Sequence, residues 1–213
     1  EIDPCPDPAG QLANVWDASV ASKVHAAFAA AAPAMAEDTF TRVSAWIDGY
    51  AREWRDAGIA ACRATHVEGT QPPELLESRV ECLDFRRNGL SVLTATLLAV
   101  NREGVTRAVD KIGALEPVSS CADKEYLKTH VLPRDPALRK KILDLEFEIG
   151  ESYTSEGRVS SKERQTNAEK LIPKARALGY LPIAVQALAE AQDAASDNSD
   201  QRSSETYLRE LAQ

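Results

Sequence analysis

The chain has 213 residues and a mass of 23.2 kDa, and 25 Lys and Arg against 33 Asp and Glu give a net charge of −8. With a pI near 5.0 it lacks the clustered basic surface that phosphate backbones require, so nucleic acid is not an expected partner. Hydrophobic residues at 44% and charged residues at 27% are ordinary globular values. A chain of this size buries about 70% of its unfolded surface without an obligatory disulfide or metal, and no apolar run approaches the ~18–20 residues of a membrane span.

Residue 1 is Glu, and no signal-peptide pattern follows it, so the chain reads as processed or as a piece of something longer. Residues 1–16 begin with EIDPCPDPAGQL, whose proline density predicts an extended lead-in. Thereafter the abundance of alanine (34 in the whole chain) and the scarcity of β-branched runs favour helix. Asp17 is a good N-cap, with Trp16 in the staple position, for a helix carrying Val20, Val24, Phe28 and Ala31 up to Pro33. A second helix from Glu37 or Asp38 carries the stripe Phe40, Val43, Ile47, Tyr50, Trp54, Ala57, Ala61 and Ala64. After the GTQPP turn, Leu76, Val80, Leu83, Leu90, Leu93, Leu97 and Val100 define a third, and residues 105–115 complete an antiparallel bundle over 17–115.

Residues 116–134 are punctuated by proline and predict an inter-domain connection with at most one helical turn. Asp135 and Pro136 then open a second half, 135–213, of four helices joined by short turns. The first carries Leu138, Ile142, Leu145, Ile149 and Tyr153 and breaks at Glu156-Gly157. Others span about 160–178 and 183–195, and the polar run 196–204 reads as a loop before a last, truncated helix. Ile149, Gly150, Tyr153 and Gly157 fall at tetratricopeptide-repeat positions, Lys162 departs from that pattern, and the unit length is ~46 rather than ~34 residues. The expected fold is therefore all-α: a helical bundle followed by tetratricopeptide-like hairpins of an α-α superhelix.

Four cysteines allow three pairings. Cys62 and Cys82 lie at similar heights on antiparallel neighbours, which predicts a Cys62–Cys82 bond and leaves Cys5 with Cys121. Disulfides would place the chain in an oxidising compartment. Reduced thiols in a cytoplasmic scaffold are the alternative. A third reading, a metal- or small-molecule-binding helical domain, would use Cys62, His66 and Cys82 with Glu68 as zinc ligands, although no CxxC pair supports it.

No catalytic signature is present: GxSxG, HExxH, a P-loop, GxGxxG and the kinase motifs are all missing, and the carboxylate pairs Glu77/Glu81 and Glu146/Glu148 sit among basic residues. No catalytic, cofactor-binding or metal site is expected, and no cofactor. Stacked hairpins offer an extended face to a protein or peptide ligand, for which Tyr153, Arg158, Lys162 and Tyr180 are the candidate docking residues, with packing of hairpin against hairpin the favoured alternative for the two tyrosines.

The blocks WDASVASKVHAAF, AEDTFTRVSAWIDGYAREW, ACRATHVEGTQPPELLESRVECLDFRRNGL, CADKEYL and ARALGYLPIAVQAL resemble, in that order, the region after the catalytic domain of myxobacterial-type serine/threonine protein kinases. The most specific blocks are Trp54–Cys62–Cys82–Arg86 and LGY-x-P at 178–182, and GTQPP departs from the family pattern. The resemblance implies a non-catalytic sensor or docking segment on the extracytoplasmic, periplasmic side of a membrane-anchored protein. Its membrane contact would be only a span outside this segment, and its kinase domain would lie elsewhere.

Overall fold

A computed structural model describes residues 3–113, 115–130, 132–133, 135–155 and 159–212. Among these residues the architecture is all-α: α1 (Ala18–Ala31), α2 (Ala36–His66), α3 (Pro73–Leu98), α4 (Arg102–Gly113), α5 (Lys124–Thr129), α6 (Pro136–Thr154), α7 (Ser161–Ala177), α8 (Leu181–Asp197) and α9 (Gln201–Leu211), with 3-10 turns at Pro8–Leu12 and Val118–Ala122. The chain divides into two compact units, Glu1–Val131 and Leu132–Gln213.

Unit 1 is the expected bundle. Asp17 caps α1 by accepting the Val20 amide at 2.9 Å, and Val20, Val24 and Phe28 face inward. On α2 the stripe Val43, Ile47, Tyr50, Trp54 and Ala61 is buried against α1, α3 and α4. The Trp54 indole N–H donates to the Leu83 carbonyl at 2.7 Å, pinning α2 to α3 at mid-height. Glu37 and Asp38, expected to start α2, lie in its first turn, where the helix dipole favours carboxylates.

Two expectations about unit 1 need correction. The lead-in is not wholly extended: it forms a 3-10 turn, and Leu12, Val15 and Trp16 enter the core, with the Trp16 indole donating to Asp48 at 2.7 Å. The supposed connection over 116–134 is also largely part of unit 1. Its 3-10 turn and α5 bury Val118, Cys121 and Leu127 to 1%, 1% and 4% exposure, so the boundary falls at residues 131–132. The prolines there shape a compact turn instead of a linker.

Unit 2 consists of the hairpins α6/α7 and α8/α9, with α6 packed on both α7 and α8. Asp135 caps α6 through the Ala137 amide at 2.9 Å, as its sequence position predicts. Gly179 follows α7 with φ +64°, a conformation that excludes most side chains, and lets the chain turn into α8 within three residues. The polar run 196–204 is mostly helical: α8 extends to Asp197, and Asp200 caps α9 by accepting the Ser203 amide. The expected break at Glu156-Gly157 lies outside the described residues.

The caps give unit 2 and α1 a pH signature. Hydrogen bonds from Gln165 and Ser203 hold the Asp200 carboxyl below its ordinary value of 3.8, and the Asn14 and Val20 amides do the same for Asp17. A depressed carboxylate contributes stability above its unfolded value and loses it as pH falls through the folded one. Both helix starts therefore keep their charged caps to lower pH than an ordinary aspartate would. Asp200→Asn, which retains the accepting oxygen, is expected to flatten the acid limb of unit 2 stability in circular-dichroism melts between pH 2 and 5.

Candidate functional site

Charged residues placed on apolar stripes build the most organised polar constellation in unit 2. On α7, Arg164 shares a helix face with Ala168, Leu171 and Ala175; on α8, Glu190 sits among Ala187, Ala191 and Ala194. Their side chains are 1% and 2% exposed, and they meet between the hairpins. The Arg164 guanidinium donates to both Glu190 carboxylate oxygens, at 3.2 and 2.8 Å, and to Asp193 at 2.7 Å; Asp197 takes a further bond. Ser152 on α6 donates to Glu190 at 2.8 Å, so one cluster ties three helices together. Burial raises the Glu190 carboxyl above its usual range, against the pull of Arg164 and Ser152. Burial alone would lower Arg164, but Glu190 and Asp193 hold it above its ordinary value.

A second polar chain fixes the α8/α9 turn. Gln165 donates to Glu169 and Asp200, both at 2.9 Å, and accepts from Asn198 at 2.6 Å. The Tyr207 hydroxyl donates to Glu169 at 3.2 Å, and burial together with the Glu169 charge pushes its pKa up to about 12. Spectrophotometric titration should show a phenol ionising near pH 12 that disappears in Tyr207→Phe.

Of the expected docking residues, the two tyrosines pack within unit 2. Tyr153 is half-buried with its ring 5.5 Å from the Arg164 guanidinium, and Tyr180 packs on the cluster of Leu145, Ile149, Leu171, Ala175, Ile183 and Ala187. Both aromatics are thus committed to packing within unit 2. Lys162 is exposed on the first turn of α7, and Arg158 lies outside the described residues. Among the described residues of unit 2 the exposed large apolar side chains are different ones: Phe147 on α6 at 44%, Leu181 and Val185, one turn apart on α8, at 74% and 44%, and Leu208 on α9 at 50%. The signal was available, because α8 reads LPIAVQALAEA and is apolar on more than the face needed for its core.

In unit 1 the disulfides are Cys5–Cys62 and Cys82–Cys121, with Cα separations of 5.6 and 5.5 Å. This corrects the expected Cys62–Cys82 and Cys5–Cys121 pairing. The inward positions beside the cysteines are Ala61 on α2 and Leu83 on α3, at 0% and 3% exposure. Each cysteine is one residue away, hence turned about 100° from that inward position. Cys62 faces the lead-in and Cys82 faces the 3-10 turn after α4. The zinc reading fails with that pairing, because both thiolates it needs are spent in separate disulfides. Among the described residues no group of His, Cys, Asp and Glu is arranged to hold a metal ion.

Beside Cys82–Cys121 stands a second organised polar cluster. Arg86, 6% exposed, donates to Ser120 at 2.8 Å, to the Tyr126 hydroxyl at 2.6 Å and to the Pro117 carbonyl at 3.3 Å, and pairs with Glu116 at 2.6 Å. Tyr126 in turn donates to Glu116 at 2.7 Å. Of the histidines, His25 bonds Glu37 at 2.9 Å and His130 stacks on Tyr126. An open depression at the start of α4 is lined by Asn101, Arg102, Glu103, Thr106 and Arg107. These clusters lock helices and turns to each other.

No family model, curated protein or solved structure matches the chain. Two disulfides fit an oxidising, non-cytoplasmic compartment, and among the described residues no helix is long and apolar enough to cross a membrane.

Proposed function

We propose that the chain is a non-catalytic docking segment on the extracytoplasmic side of a membrane-anchored bacterial serine/threonine protein kinase. The observation that carries the docking reading is the exposure of Phe147, Leu181 and Val185 on the first helices of two stacked hairpins. Apolar side chains exposed on a hairpin stack are the usual means by which such arrays hold a partner peptide or helix. Support for the address comes from the two disulfides, and support for the kinase link from the ordered sequence blocks of the family resemblance. The polar clusters around Arg164 and Arg86 are ascribed a positioning role, because both guanidinium groups bond to neighbouring helices or turns.

A photo-crosslinking residue at Val185, in the producing cell, tests the docking reading. A discrete protein adduct is expected, and Leu181→Glu should abolish it while leaving the circular-dichroism spectrum unchanged. An adduct indifferent to that substitution, or none, overturns the reading. The address is tested by thiol counting on protein isolated without reductant and then denatured. Zero free thiols is the expected result, and four would return the chain to the reduced, cytoplasmic alternative. The kinase link fails if the full reading frame encodes neither a kinase domain nor a membrane span.

A further inference from the structure

The two disulfides of unit 1 are embedded differently, and the difference has a mechanical consequence. Cys82–Cys121 belongs to the hydrophobic core: Cys121 is 1% exposed and Cys82 packs against the same cluster. The segment it holds is anchored twice more, by the buried side chains of Val118 and Leu127 and by the Arg86 cluster. Cys5–Cys62 lies outside that core cluster. Of residues 3–11, Cys5 alone is buried. The rest of the strap is held by an exposed 3.9 Å pair between Asp7 and Arg55 and by Pro8 against Gly58, where a Cβ would lie 3.3 Å from Pro8 Cγ. Firm anchorage begins only at Leu12, Val15 and Trp16, with the Trp16–Asp48 bond.

We infer that Cys5–Cys62 is a redox-releasable strap. A dithiol reductant attacks the bond as a thiolate, forms a mixed disulfide with one cysteine and closes on itself. Cys5 and Cys62 gain two electrons and two protons and become thiols, while the reductant becomes its disulfide. Because residues 3–11 have no other buried anchor, opening them locally is enough to admit the attacking thiolate, whereas Cys82–Cys121 demands that the core open. Reduction then moves the point at which the chain leaves unit 1 from Cys62 to Leu12, toward the level of Trp16 and Asp48. The levels of Cys62 and Asp48 are about 21 Å apart along α2 at 1.5 Å per residue, which bounds the displacement. Anything joined ahead of the strap is tethered at one end of α2 when oxidised and closer to its middle when reduced. This inference does not require the docking or kinase readings, since it rests on unit 1 alone.

The test is a time course of the native full chain in dithiothreitol, quenched by alkylation and mapped by mass spectrometry, with tryptophan emission followed in parallel. Cys5 and Cys62 are expected to be alkylated at least about tenfold faster than Cys82 and Cys121, with emission unchanged during the first phase. Hydrogen exchange should rise in residues 3–11 and stay slow in α2 before Trp54. Simultaneous reduction, earlier loss of Cys82–Cys121, reduction of neither bond, or a first phase that changes the emission would each overturn the inference. The Cys5→Ser, Cys62→Ser variant fixes the released state, and residues 3–11 that remain protected in it would overturn the inference as well.

Discussion

Arg164→Met is expected to destabilise unit 2 by about 3–5 kcal/mol, because it strands the Glu190 carboxylate in a site that is 2% exposed. Glu190 would answer by taking up a proton, since burial already raises its pKa with the arginine present. The loss should therefore be greatest near neutral pH and shrink as the solution is acidified and the proton becomes cheaper to bind. Arg164→Met with Glu190→Leu removes both charges together and should recover most of the stability, since well-packed apolar replacements of buried ion pairs are often neutral or better. The readout is clean. Trp16, Trp46 and Trp54 all belong to unit 1, so tryptophan emission follows that unit while circular dichroism follows both. An Arg164→Met loss under 1 kcal/mol, or one independent of pH, would mean that water solvates Glu190 and that the cluster is not a closed one.

Much of this fold is legible in the sequence. The α2 and α3 stripes run for many turns at a spacing only a helix satisfies, and Asp17 and Asp135 mark helix starts by a chemistry local to three or four residues. What the sequence hides is set by partners distant in the chain. Cys62 and Cys82 do lie at matched heights, but the stripes already assign the inward positions to Ala61 and Leu83, so the azimuth and not the height decides the pairing. Loop-closure energies could not have corrected the error, because both alternatives close loops worth a few kcal/mol each. The helical start of α9 was missed because Gln201–Ser204 is polar. What makes it helical is Asp200 at its cap and the bond between Gln192 and Ser204 at 3.1 Å, neither visible from local hydropathy.

The two tyrosines of the expected docking set pack inward for a related reason. Tyr153 and Tyr180 occupy places where a hairpin repeat needs bulk, and bulk in those places goes inward. Arg86, Arg164 and Glu190 carry the opposite lesson. A charge on an apolar stripe has to find a partner of opposite sign from another element, and reading the stripes for such intruders would have revealed both polar clusters. Exposed apolar residues such as Leu181 become visible only once the apolar positions that the core requires have been subtracted.

Cys82→Ala with Cys121→Ala is expected to cost unit 1 about 4 kcal/mol by the chain-entropy relation, because the bond closes a sequence separation of 39 residues. Tryptophan emission in urea measures it, and the unit 2 transition seen by circular dichroism should not move, since the two units have separate cores. The segment around the 3-10 turn should nonetheless stay docked, because Arg86 still engages Glu116, Pro117, Ser120 and Tyr126. Adding Arg86→Met to that variant removes the second clasp and should release residues 116–130, seen as faster hydrogen exchange there. If the double alanine variant alone releases the segment, the guanidinium cluster is a consequence of the disulfide and not an independent anchor. If it loses less than about 1 kcal/mol, the reduced chain already holds residues 82 and 121 together before folding, and the bond only records a proximity that the core imposes.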